Sequence, residues 1–209
     1  MKNWKLLILG SICGITAPML FMLLVIVASL LRPGYSQIHN FISDLGIGPY
    51  AIIQNSNFVV FGLLSIGFAL GLRDGLPVPQ ARSLKACVWL VVIFGFGILF
   101  AGVFPEDYLL GAPHTLASST AFLSIIAAQL LIWRGLRSED SAAWSRYREY
   151  SLTSGLLSIV MLVLLQVAIS ATGAYQGLAQ RAFLLPWIWI EVTGFKLYSL
   201  FGRTEMKKA

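Results

Sequence analysis

Five side chains able to do acid–base or metal chemistry, His39, Asp44, Glu106, Asp107 and His114, fall in two short polar stretches of an otherwise apolar chain. The first is Tyr35-Ser-Gln-Ile-His-Asn-Phe-Ile-Ser-Asp-Leu-Gly46, and the second is Phe104-Pro-Glu-Asp-Tyr-Leu-Leu-Gly-Ala-Pro-His114. Two carboxylates and an imidazole supply donors for a divalent cation with a position left for water, or a general acid and base without any metal. Asp44, Asp107 and His114 are therefore the candidate catalytic residues. The same three, with His39 as a fourth ligand, are the candidate metal set, and zinc suits such donors. The second stretch is short, which keeps Asp107 and His114 near each other. His114 opens an apolar run, with Ser118 one turn deeper. A competing reading has Glu106 and Asp107 capping that helix and His114 as an interfacial polar residue.

What positions these stretches is embedded in lipid. Of 209 residues, 57% are hydrophobic and 11% charged, and mean hydropathy is +0.79. A soluble domain of this size has no core able to hide so much apolar surface. Runs of spanning length cover 6–31, 51–72, 84–104, 114–133, 151–171 and 182–201. The expected fold is all-α, a polytopic membrane protein in which 1–209 form a single bundle of six transmembrane helices. Lys2 and Lys5 ahead of the first run resemble a signal peptide, but the run is too long for a removable one and is read as retained. Lys2, Lys5, Arg73, Arg82, Lys85, Arg134, Arg137, Arg146, Arg148, Arg203, Lys207 and Lys208 gather on one side, against Arg32 and Arg181 on the other. The positive-inside bias places both termini in the cytoplasm, across a prokaryotic inner membrane. The net charge of +6 forms no basic, aromatic-rich face, which argues against a nucleic-acid partner. Gly10-Ser-Ile-Cys-Gly14 and Gly67-Phe-Ala-Leu-Gly71 are read as close packing inside the bundle in preference to a dimer contact. The stretch from Trp144 to Tyr150 is read as extending the fifth helix along the cytoplasmic interface, with Arg146 and Arg148 at anionic head groups.

This orientation puts both histidines, Asp44, Glu106 and Asp107 on the outer side with few basic neighbours. Ile38, Phe41, Ile42 and Leu45 follow the spacing of an amphipathic helix, with Ser36 able to cap its start and Gly46 its end. A short helix lying in the outer interface, or dipping as a lid into the bundle mouth, is expected. Asn40 and Asp44 would share its polar face beside His39 and Ser43, while His39 and Asp44 stand about 140° apart around it. Glu191 lies inside the last run, roughly 13 Å deep at 1.5 Å per residue. A carboxylate there must face protein or water, or carry a proton. Asn57 and Gln166 stand in the outer halves of their runs, with Gln54 and Asn55 leading into the second. Together they predict a polar cavity opening outward, with Glu191 at its floor and Asn57, Ser43, Gln166 and Arg181 as further ligand-binding residues. The structural alternative for Glu191 is a hydrogen-bonded clamp between helices. Lys196, nearer the cytoplasmic end, can snorkel.

No GxSxG elbow, P-loop, HExxH or CxxC is present. Cys13 and Cys87 fall in apolar runs and are read as buried free thiols. Neither histidine lies deep in a span, which disfavours haem. Arg32-Pro-Gly-Tyr-Ser36, followed by Ile42-Ser-Asp-Leu-Gly46, resembles the domain-of-unknown-function family numbered 998, six-span bacterial and archaeal proteins. The resemblance continues through Asn57, Gly102-Val-Phe-Pro-Glu-Asp107, His114 and Gly177-Leu-Ala-Gln-Arg181, and covers nearly the whole chain. It implies the six-helix fold and supports Asp44, Asp107 and His114. It implies no activity, and His39 is outside its pattern.

Two functions are carried forward. In one, the chain binds or moves a lipid-like or small molecule in the outward cavity, with Glu191 as principal residue. In the other it is an intramembrane hydrolase or transferase, with or without a metal, acting on a lipid-like substrate at the outer leaflet through Asp44, Asp107 and His114. A helper that stabilises a larger complex is the third possibility.

Overall fold

The computed structural model describes residues 3–78, 81–139, 141–171 and 174–206, and every regular element among them is helical. Lys2, Lys207 and Lys208, three of the orienting basic residues, lie outside the described residues. The long helices are α1 (Trp4–Leu31), α2 (Ala51–Gly75), α3 (Arg82–Val103), α4 (Ala112–Gly135) and α5 (Ala142–Ala171), followed by α6 (Gln176–Leu184) and α7 (Ile188–Met206). The first five are long and apolar enough to cross a membrane, so the chain is a multi-pass membrane protein. The sixth expected run is not one continuous helix. A 3-10 turn at Leu185–Trp187 separates α6 from α7. Pro186 explains the break: it lacks an N–H, and its ring crowds the carbonyl one turn back.

Glycine sets the closest helix approaches. A Cβ on Gly10 would collide with the Gly71 backbone, and one on Gly71 would stand 2.7 Å from Gly10 Cα. The two GxxxG motifs therefore pack α1 against antiparallel α2. A Cβ on Gly62 of α2 would come within 2.5 Å of the Gly95 carbonyl of α3. Small residues of this kind let helices approach where lipid supplies no hydrophobic drive for association.

α5 is held differently. Only 22% of its apolar window is buried, against 39% to 50% for the other four spans. Polar groups anchor it. Gln129 on α4 donates through Nε2 to Ser154 Oγ (3.2 Å) and to the Pro186 carbonyl (3.2 Å), and accepts from Ser158 Oγ (2.8 Å). Ser151 accepts from the Trp189 indole (3.0 Å), and Tyr147 and Thr193 share a 2.7 Å hydroxyl bond. The 144–150 stretch is the first part of α5 proper, with Trp144 and Tyr147 buried in the bundle. Lys196 donates to the Ala143 carbonyl (2.9 Å) and sits 4.6 Å over the Trp144 ring.

The first polar stretch does not form the expected amphipathic α-helix. One turn closes from Asn40 N–H to the Ser36 carbonyl (2.8 Å), and Ser43–Gly46 is a 3-10 turn. A side chain takes a backbone donor that a helix would use, the Phe41 N–H, and another ties back the start of the stretch. Asn40 Oδ1 accepts from Ser36 N–H (2.9 Å), and Asp44 Oδ2 accepts from Phe41 N–H (2.8 Å). Asn and Asp compete with helices in this way. Ile42 and Leu45 are still buried, but Ile38 is exposed, so the apolar face is split.

Candidate functional site

His114 is the third residue of α4, behind Gly111 and Pro113. Its Nδ1 lies 2.9 Å from the Ala101 carbonyl and 3.1 Å from that of Phe104, where α3 ends. Both partners are acceptors, so Nδ1 carries the proton, and the terminal carbonyls of α3 gain a donor. Nε2 then faces Glu106 Oε1 at 3.6 Å. Between the two residues the chain turns sharply: Leu109 (φ 46°), Leu110 (φ 56°) and Gly111 (φ 74°) are all left-handed. Each leucine there costs about 1–2 kcal/mol. The chain folds back so tightly that a Cβ on Gly111 would stand 3.1 Å from the Glu106 carbonyl oxygen.

The Ser43 hydroxyl and the Asp44 carboxyl both lie beside the Glu106 carboxyl. Burial pushes Glu106 above the ordinary carboxylate range; Ser43 and His114 pull it back, and Asp44 pushes it up. Glu106 thus stands between Ser43 and His114. The arrangement is a carboxyl pair beside an imidazole, suited to holding and passing a proton or binding a polar group.

α6 fixes this constellation by clasping the first polar stretch. Arg181 donates to Tyr35 Oη (2.6 Å), Gln37 Oε1 (3.1 Å), the Asn40 carbonyl (3.2 Å) and the Gly177 carbonyl (2.9 Å), and lies 5.6 Å over the Tyr35 ring. Gln180 Oε1 accepts from Ile42 N–H (2.5 Å), and Leu178 N–H donates to the Ile38 carbonyl (3.1 Å). Gly177 permits the approach, since a Cβ there would collide with the Asn40 carbonyl. The Gly177–Arg181 motif is thereby joined to the Tyr35–Gly46 motif. Burial raises the Tyr35 phenol, and the adjacent Arg181 partly offsets this.

Ser43, Glu106 and His114 line one end of a cavity of about 410 Å³, within the usual range for small-molecule sites. Its lining is mainly apolar. Ring centroids step from His114 to Phe58 (6.1 Å), Phe58 to Phe21 (5.7 Å) and Phe21 to Trp187 (6.0 Å). Leu162, Leu165 and Ile169 of α5 also line the cavity. Trp187 is 4% exposed, and its indole N–H has no partner among the described residues. On α4, Thr115, Ser119 and Leu123 recur one turn apart, and all three both line the cavity and are exposed; Gln166 and Ile169 do the same on α5. The cavity therefore opens sideways between α4 and α5.

Of the residues expected from sequence, Ser43, His114 and Gln166 line this cavity. Asp44 stands behind Glu106, bonded to Phe41 N–H and to Asn40 Nδ2 (3.3 Å). Asp107 is exposed and outside the lining. His39 is exposed and bonded through Nδ1 to the Ala174 carbonyl. Arg181 acts in the clasp. Asn57 is buried, donating to the Phe21 carbonyl (3.0 Å) and Gln54 Oε1 (3.3 Å). Glu191 does not form the floor; it lines a separate, smaller cavity of about 290 Å³ with Pro18, Met22 and Trp187. Among the described residues, no three His, Cys, Asp or Glu side chains are arranged to hold a metal ion. The reason is local: Asp107 turns out to the surface, and His39 is drawn to the 174–175 segment.

Glu106, Gln180 and Trp187 line the cavity, though their sequence context assigns none of them a catalytic or ligand-binding role. Glu106 and Asp107 are adjacent acids, and no pattern ranks one above the other. The left-handed turn after them makes that choice.

A family model described as "Protein of unknown function (DUF998)" matches residues 15–196, a range that includes the whole cavity lining. No curated protein and no solved structure matches the chain.

Proposed function

The chain belongs to the DUF998 family, and from the geometry of its own cavity we propose that it binds an amphiphile, a lipid-like or small molecule taken from the bilayer. The polar end meets Ser43, Glu106 and His114, and the apolar body follows the aromatic wall from Phe58 to Trp187. One observation carries this reading: an apolar cavity whose ionisable groups all converge at one end and whose opening faces sideways between two spans. In the orientation favoured by the basic residues, both termini are cytoplasmic and the cavity serves the outer half of the bilayer. Reporter fusions at the 104–111 turn test that sidedness; a cytoplasmic signal there reverses it.

The binding test uses a dodecyl probe with the full chain in lipid nanodiscs. Saturable binding above partition into empty discs is expected, and Ser119→Trp at the rim should abolish it. Non-saturable uptake identical in the two proteins removes the reading.

A second reading rests on His114 Nε2 facing the Glu106 carboxyl. In a water-poor cavity, these two groups could pass a proton to or from a bound substrate, as an acid–base hydrolase or transferase requires. Turnover of a lipid ester lost in Glu106→Gln, with probe binding kept, favours this enzyme over a pure binder.

A further inference from the structure

Among the described residues, no lysine or arginine lines the cavity. The nearest guanidinium in sequence, Arg181, is committed to Tyr35, Gln37 and the carbonyls of Asn40 and Gly177. An anionic head group would therefore enter with no counter-charge. The polar end offers the opposite sign: Glu106 lines the cavity, Asp44 stands behind it, and His114 Nε2 lies 3.6 Å away. Two carboxyl groups stand there against one imidazole, so acidic groups outnumber basic ones at this end. Aromatic rings line the cavity with them. Phe41 and Phe58 both line the cavity, Phe41 N–H is tied to Asp44, and the Phe58 ring is 6.1 Å from that of His114. A carboxylate with aromatic rings around it is the surface that recognises ammonium groups, because the ring quadrupole and the charge attract the same cation. The Trp187 indole N–H, buried without a partner among the described residues, is a donor left for an oxygen on the ligand's body.

We propose that the bound amphiphile has a cationic head, an alkylammonium, seated against Glu106 with Asp44 behind it and Phe41 and Phe58 at its sides. This rests on the amphiphile reading of the same cavity, and the test separates the two. Three probes of equal chain length, dodecylammonium, dodecanol and dodecyl phosphate, are titrated onto the full chain in nanodiscs of zwitterionic lipid, with empty discs subtracted. The ammonium is expected to bind tighter than the alcohol by about tenfold or more, with the phosphate weakest. Glu106→Gln should cut the ammonium preference to about twofold while the alcohol is still bound, and Glu106→Asp should retain it. Saturable binding of all three probes with equal affinity, or tightest binding of the phosphate, overturns the cationic head and leaves the amphiphile reading standing. An ammonium preference that persists undiminished in folded Glu106→Gln also overturns it. If none of the probes saturates, the amphiphile reading itself fails. Should Glu106→Gln not fold, the ranking of the three probes on the unaltered protein decides.

Discussion

Where α1, α2 and α3 meet, the helices touch through glycine and leave no room for a methyl group; where α4, α5 and α6 meet, they stand apart around a cavity and are tied by serine and glutamine. Both solutions answer the same problem, since apolar side chains gain little by leaving lipid for one another. Close backbone contact gives the first half dispersion at short range, and it tolerates no insertion. Hydrogen bonds give the second half fixed points, with space between them. A membrane protein that must admit a ligand from the side needs the second arrangement next to the first: a rigid wall and a spaced one.

The largest effect should come from attacking the rigid wall. Gly10→Leu drives a side chain into the Gly71 backbone and should cost about 4 kcal/mol or more, seen as loss of folded protein in detergent. Ser119→Leu on the spaced wall, exposed at the cavity rim, should change stability by about 0.5 kcal/mol or less on the same measurement. Similar losses for both would erase the contrast. Next comes the clasp. Arg181→Ala removes four hydrogen bonds to the first polar stretch and α6; about 2–3 kcal/mol of thermal stability should go. Probe binding should weaken with it, since Ser43 and Asp44 lose their support.

The carboxyl pair sharpens the comparison through pH. Glu106 binds its proton more tightly when folded than at its ordinary value of 4.5. Its favourable contribution is then complete below about pH 4.5 and is lost as pH rises through the raised folded value. Melting temperature should fall across that window in the unaltered protein, and Glu106→Gln, with nothing to titrate there, should lack that part of the decline. A pH profile unchanged by the substitution would mean that Glu106 is not held as a buried acid. The smallest effect belongs to one fixed point of the spaced wall: Ser158→Ala removes a 2.8 Å bond to Gln129. About 0.6 kcal/mol is the expected loss in chemical unfolding.

The five long spans were legible because partition into lipid sums over residues and depends little on neighbours; an 18-residue window carries the information whatever the helix packs against. The GxxxG pairs were legible for a related reason, since only glycine permits such approach. Other readings needed partners. The spacing of Ile38, Phe41, Ile42 and Leu45 suits a helix, yet Asp44 captures the Phe41 N–H that the helix would use. Glu191 stands at cavity depth along its run, yet the break at Pro186 gives it a cavity apart from the acid pair.

By itself, then, the sequence determined an all-helical, lipid-embedded chain and the two polar stretches at which chemistry could gather, since solvation and helix geometry act on each segment alone. Which of the adjacent acids Glu106 and Asp107 lines the cavity, that Arg181 clasps the first polar stretch, and that His39 meets the Ala174 carbonyl were decided only by tertiary structure. A side chain's direction at a turn is fixed by the contacts that close the turn, and those contacts come from residues far along the chain.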